Sequence, residues 1–319
     1  MAKKKFINQT YIEGYLYEHK LETRTTGSTS KNPGVNYIRG SIDIATNEDC
    51  TNIVTVYYTY VTPTKADGGA NPTYSTLLNI IEGKYSNYMK DGKEGAVKLK
   101  VNSAIGINDF YTDRNGKEEL ISAKRNEGGF IHLLNAFETE NEKDRATFKN
   151  DIIITAVTHV EEDVDNKRPE KAIIKGLTFD FRGALIPVEF SAINSGAINY
   201  FESLDASQSN PVFTKVWGEQ VSEVIVRSIT EESAFGEASV REVKSSRKDF
   251  VITGAAKETY PWDDESSITV AEFKQKLADR EVYLATVKKN NDEYKANKNA
   301  PPFDVTSNVM TNTASGFNF

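Results

Sequence analysis

A single cysteine, three histidines, no excess of basic residues and no long apolar run are what this 319-residue chain has least of. One cysteine, Cys50, excludes an intramolecular disulfide or a thiolate metal cluster built by this chain alone, and it fits a reducing compartment. Ahead of a strand, Cys50 reads as a small apolar filler. His19, His132 and His159 lie far apart, none with a histidine or cysteine at ligand spacing, so neither a metal nor a cofactor is expected. No run approaches the roughly 18 apolar residues of a membrane span, and Met1-Ala2-Lys3-Lys4-Lys5 leads into no signal-peptide core. The expectation is a soluble, cytoplasmic protein with no membrane partner, in the host cytoplasm if the chain is viral.

Enzyme signatures are missing as well. The sequence holds no glycine-rich phosphate loop ending in Gly-Lys-Ser/Thr, no dinucleotide-binding glycine pattern and no nucleophile elbow. The acidic run Glu161-Glu162-Asp163-Val164-Asp165 precedes Lys167-Arg168-Pro169 and reads as a solvated turn. No nucleophile, base or metal set converges, which predicts a protein that is not an enzyme. The net charge of -7 excludes coating of nucleic acid through bulk charge and leaves room for a local basic groove.

What is present is β-rich and repetitive. Ile38-Arg39-Gly40 is echoed by Ile174-Lys175-Gly176, and Val97-Lys98-Leu99-Lys100-Val101 by Val212-Phe213-Thr214-Lys215-Val216, in the same order. Strands are expected at residues 9–23, 37–44 and 53–61, the last β-branched and aromatic throughout. Tyr74, Leu77, Leu78, Ile81 and Tyr85 then follow at helical spacing. Strands at 97–107 and 120–134 flank Asp113-Arg114-Asn115-Gly116, whose Asn-Gly pair signals a hairpin. A helix between the third and fourth strands is the arrangement of a five-stranded Greek-key barrel of the oligonucleotide-binding (OB) type.

The charged stretch that follows reads as a linker. Beyond it the order recurs: strands at 151–160, 172–181 and 184–193, a short helix at 197–204, and strands at 212–229 and 239–253. From Ser267 a capping box, Thr269 with Glu272, opens a helix whose face carries Phe273, Leu277, Leu284 and Val287. The fold class expected is mainly β with some α: two tandem OB-like Greek-key β-barrels, a C-terminal helix and a flexible tail. The boundaries are 1–137 for the first barrel, 138–150 for the linker, 151–258 for the second barrel, 259–295 for the helix and 296–319 for the tail.

Single strands are bound by bases stacking on aromatic faces while Lys and Arg track phosphates. Fifteen tyrosines and sixteen phenylalanines supply most of the aromatic residues. In the first unit Tyr15, Tyr17, Tyr37, Tyr58 and Tyr60 are the stacking candidates, with Arg39, Lys98, Lys100, Lys124 and Arg125 for phosphate. In the second, Phe213 and Trp217 stand with Lys175, Lys215, Arg247 and Lys248. Period two puts Tyr58 and Tyr60 on one face and Tyr57 on the other, and Phe179 and Phe181 read as core.

On these repeated pieces, the element order and the aromatic-basic interleaving across residues 9–255, the chain resembles tandem OB-fold single-stranded DNA-binding proteins, such as the large subunit of replication protein A and phage-encoded members. The resemblance implies single-stranded DNA, or RNA, as partner, a role in replication or recombination, and recruitment of replication proteins through the tail. Phe317 and Phe319 match the hydrophobic tip of bacterial-type tails, but the acidic residues before it are missing here. The rival expectation is a viral structural or assembly protein that self-associates through its β-barrels.

Overall fold

The computed structural model describes residues 6–28, 30–114, 116–163, 168–231, 239–263 and 267–298, and only the backbone over 223–247 and 297–298. The strands are β1 (Asn8–His19), β2 (Glu22–Thr25), β3 (Asn36–Ala45), β4 (Ile53–Val61), β5 (Lys98–Arg114), β6 (Lys117–Leu134), β7 (Ala146–Val160), β8 (Lys171–Phe179), β9 (Leu185–Ala192), β10 (Val212–Glu231) and β11 (Ser239–Ala255). The helices are α1 (Pro72–Ile81), α2 (Tyr88–Gly95), α3 (Ser195–Ser203) and α4 (Val270–Lys298). The protein is mainly β with a few helices, and all eleven strands belong to one hydrogen-bonded sheet.

The pairings fall into two sets with the same order. In the first, β1 pairs antiparallel with β3 and β5, β3 with β4, β5 with β6, and β4 meets β6 in parallel. In the second, β7 pairs with β8 and β10, β8 with β9, β10 with β11, and β9 meets β11 in parallel. β1 and β7 join the sets through Asn8–Ile12 against Asn150–Ala146. The echoed glycines occupy equivalent strands, β3 and β8, for a steric reason. A Cβ on Gly40 would stand 2.0 Å from the Lys20 carbonyl oxygen, and one on Gly176 would stand 2.4 Å from that of Ile153. Only glycine lets the backbones approach so closely.

Each set packs around a core, with Ala146 of β7 joining the first and Ile105 of β5 the second. Ile12, Leu16, Ile42, Val56, Leu99 and Val101 meet Leu77 and Ile80 of α1. Ile152, Ile154, Ile174, Phe190 and Val216 meet Ile198 and Phe201 of α3. A third cluster gathers Phe179 and Phe213 against Phe273 of α4, with Phe6, Trp262 and Leu277 packed on it. Burying each such large apolar side chain stabilises the fold by about 1.5–3 kcal/mol.

Three expectations change at element boundaries. The stretch read as one strand over 9–23 divides into β1 and β2, with Lys20 N–H donating to the Ser41 carbonyl at the break. Ala146–Asn150 do not belong to a linker: they pair with β1 and β10, with Ala146, Phe148 and Asn150 buried. The C-terminal helix starts at Val270 and runs to Lys298, past the expected 295. Its capping box forms as read, Thr269 N–H donating to Glu272 Oε2 at 3.0 Å and Glu272 N–H to Thr269 Oγ1 at 3.1 Å. Residues 299–319, most of the expected tail, lie outside the described residues.

Candidate nucleic-acid interface

Strand β4 decides which side of the first set meets water. Val54, Val56 and Tyr58 point into the core, while Thr55, Tyr57 and Thr59 point outward. Tyr57 is 38% exposed. It is paired with Ser41 of β3 and Glu127 of β6, and the Arg125 guanidinium lies 5.5 Å from its ring centre. Such a cation–π contact presents a ring and a positive charge together.

Further polar groups surround Tyr57. Arg125 Nη2 holds Glu127 Oε1 at 2.7 Å, and Thr59 Oγ1 donates to the same oxygen at 3.0 Å. Arg39 Nε holds Glu22 Oε1 at 2.6 Å. Lys248 Nζ reaches over from β11 to donate to Thr55 Oγ1 at 3.2 Å, and Thr55 Oγ1 donates to Asp43 Oδ1 at 2.6 Å. The Arg39–Glu22 pair is solvent-accessible, so an incoming anion can compete with its carboxylate at small cost, whereas the Arg125 and Glu127 side chains are only 20% and 23% exposed. The face therefore offers one exposed ring, three cations, two hydroxyls and the carboxylates of Glu22, Asp43 and Glu127.

Other expected residues lie elsewhere. Tyr58 is 2% exposed with a hydroxyl that has no partner among the described residues, and burial pushes its pKa well above the usual phenol range. Tyr15 is buried beside Ala45, Cys50 and Ala96, with its hydroxyl donating to Glu48 at 3.3 Å. Phe213 is core. These three corrections share one reason: a ring sealed in a core cannot stack on a base.

Tyr17 stacks on Tyr88 at 5.0 Å, and Tyr37 and Tyr60 pair at 4.8 Å at the edge of the β3–β4 face. Lys98 lies over the Tyr15 and Phe137 rings, and Lys100 pairs with Glu138 at 2.5 Å. Lys124 leaves the surface, lying 4.1 Å from the Phe250 ring centre and donating to the Glu189 carbonyl. Burial lowers its pKa to about 8. Lys175 is exposed 3.8 Å from Glu189, and Lys215 lies 5.7 Å from the Tyr260 ring centre. Trp217 is 40% exposed, Phe181, expected in the core, is 57% exposed because it lies past the end of β8 at Phe179, and the Arg247 side chain lies outside the described residues.

Tyr57 is thus the residue that sequence reasoning left out of the set. Its signal was present, because strict alternation required one of Tyr57 and Tyr58 to be wet. Among the described residues no group of three or more His, Cys, Asp or Glu is arranged to hold a metal ion. No helix among them is long and apolar enough to cross a membrane.

Among solved structures, the chain is similar to a deletion mutant of the single-stranded DNA-binding protein from Thermus aquaticus, at 11% identity and a TM-score of 0.44, over 82% of this chain and 98% of that one. It is also similar to a replication protein A heterotrimer bound to single-stranded DNA, at 10% identity and a TM-score of 0.23, over 86% of this chain and 69% of that one. No curated protein matches the sequence. The model of the YorF family matches residues 7–293, the whole of the sheet and most of α4, and the chain belongs to that family.

Proposed function

We propose that this YorF-family protein is a non-enzymatic binder of single-stranded nucleic acid, DNA foremost, acting in replication or recombination. Its architecture is read as two tandem OB-like barrels. Support for that reading comes from the pairings, which lead from β1 through β3, β4, β6 and β5 back to β1, and from β7 through β8, β9, β11 and β10 back to β7. A helix packs on each core between the third and fourth strands of its ring.

The observation that carries the binding reading is the exposed Tyr57 ring beside Arg125 on the β3–β4–β6 face. A base stacks on Tyr57, and phosphates replace Glu22 and Glu127 as partners of Arg39 and Arg125, with Lys248 supplying a third cation from the second set. Every base has a π-face, so such binding carries little sequence preference.

The test is fluorescence anisotropy of a labelled oligo-dT of about 30 nucleotides, long enough to fill more than one OB-sized site. Affinity should fall with salt at a log–log slope of about -2, from three cations at about -0.7 each. Duplex should not compete. Tyr57→Ala should weaken binding about 5- to 150-fold, the equivalent of about 1–3 kcal/mol for one stacked base. Absence of binding at low salt, or full affinity in Tyr57→Ala, contradicts the proposal. Concentration-dependent assembly without affinity for nucleic acid would put self-association in its place.

A further inference from the structure

A second exposed surface crosses the seam between the two sets of strands. Along one hydrogen-bonded row, Glu219 of β10 faces Thr147 of β7, Thr147 faces Tyr11 of β1, Tyr11 faces Asn102 of β5, and Asn102 faces Phe130 of β6. Directly paired residues share a face of the sheet. The row therefore forms one strip, about 19 Å long at the strand spacing of about 4.8 Å. A neighbouring row carries Trp217, Lys149 and Gln9. Together they floor an open groove of about 880 Å³.

The two largest rings are held outward by backbone features. Phe130 is 68% exposed and Trp217 40%. Phe130 follows Gly128 and Gly129, whose φ angles are 68° and 112°, opposite a register shift between Asn102 and Ala104. A Cβ on Gly129 would stand 2.3 Å from the Asn102 carbonyl oxygen. Glycine is thus required for the bulge that turns Phe130 into the groove. The Trp217 indole lies across Gly254, in space that a side chain there would fill. Among the described residues neither ring belongs to a hydrophobic core.

Charge distinguishes this groove from the Tyr57 face, where Arg39, Arg125 and Lys248 balance Glu22, Asp43 and Glu127. The charged lining of the groove is Asp144, Glu219 and a single lysine, Lys149. Next to Tyr11 along β1, the fully buried Glu13 accepts the Tyr11 hydroxyl, the Thr139 hydroxyl at 2.7 Å and the Glu138 N–H at 2.5 Å. Burial raises the Glu13 pKa, but these donors outweigh it and hold the carboxyl below its ordinary value. Glu13 thus lies beside Tyr11 on the same strand face, sealed from the groove itself. Phosphate is disfavoured here, whereas rings flanked by carboxylates suit a flat, weakly hydrated cation.

We propose that this seam groove docks an extended, arginine-bearing segment of a partner protein, with guanidinium groups stacking on Trp217 and Phe130 and pairing with Glu219 and Asp144. The proposal stands independently of binding at Tyr57.

The probe is a labelled oligo-arginine peptide titrated into the full chain, read by its anisotropy and by tryptophan fluorescence. Saturable binding is expected, weakened about tenfold or more by Trp217→Ala, the loss of one anchoring ring. Glu219→Gln combined with Asp144→Asn should weaken it similarly, and Tyr57→Ala should leave it unchanged. Lys149→Glu should strengthen it about threefold, a gain that a misfolded variant would not show. Equal binding by Trp217→Ala, no gain in Lys149→Glu, or no binding in the wild type would overturn the proposal. A change in tryptophan emission on adding oligo-dT without peptide, abolished by Trp217→Ala, would also overturn it and assign the groove to nucleic acid.

Discussion

At the scale of single residues, neighbouring tyrosines with the same side chain have opposite roles. Tyr57 meets water, and Tyr58 packs in the core against which α1 lays Leu77 and Ile80. The sequence showed the period of β4 and not its phase, because tyrosine is at home in a core or on a surface. The unpartnered Tyr58 hydroxyl yields a test of that phase. Tyr58→Phe removes a buried polar group and should raise stability by about 1 kcal/mol with nucleic-acid affinity unchanged. Urea denaturation checks this, and a loss of stability would mean that the hydroxyl has a partner. Glu48 supplies a second test. Lys93 at 2.6 Å and Arg145 at 2.9 Å lower its pKa from 4.5 to about 2. A depressed carboxylate contributes stability that is complete above pH 4.5 and is lost as pH falls toward about 2. Denaturation across that window should show a weaker pH dependence in Glu48→Gln than in the wild type; identical slopes would contradict the assignment.

At the scale of elements, local patterns were legible and long-range pairings were not. The 53–61 strand coincides with β4, and Thr269 and Glu272 announced the start of α4. The strand character of Ala146–Asn150 was hidden by the charged run before it and by Asn150, a polar residue that is fully buried. Its amide donates to Asn8 Oδ1 at 3.0 Å, a contact across 142 positions that no local pattern announces. α4 shows the same limit. Its amphipathic face was readable, but its attachment to the β5–β6 hairpin was not. Arg280 grips Asp109 through two bonds of 2.7 and 2.8 Å, and Lys288 and Lys295 reach Glu118. The Asp109 side chain is only 1% exposed. Removing its partner leaves a buried carboxylate unpaired, so Arg280→Ala should cost about 3–5 kcal/mol. A loss below about 1 kcal/mol would show that the pair is no more than a surface contact.

At the scale of the whole molecule, the order of elements was legible twice over because the echoed glycines and lysines fall on equivalent strands. The joining of the two sets was not. It depends on the β1–β7 ladder and on polar contacts that link distant segments: Asn52 with Gln220 and Ser222, and Asn126 with Gln220. The chain carries a net charge of -7, yet its faces differ. Arginines and Lys248 gather around Tyr57, while carboxylates predominate in the seam groove. The proposed path of single-stranded nucleic acid crosses the Tyr57 face. It is tested most directly by photo-crosslinking a single-stranded oligonucleotide carrying iodouracil to the full chain and identifying the attached residue. A principal crosslink at Tyr57, absent from Tyr57→Ala, is the predicted result. Crosslinks confined to Trp217 or Phe130, or no crosslink under conditions where the strand is bound, would contradict the account.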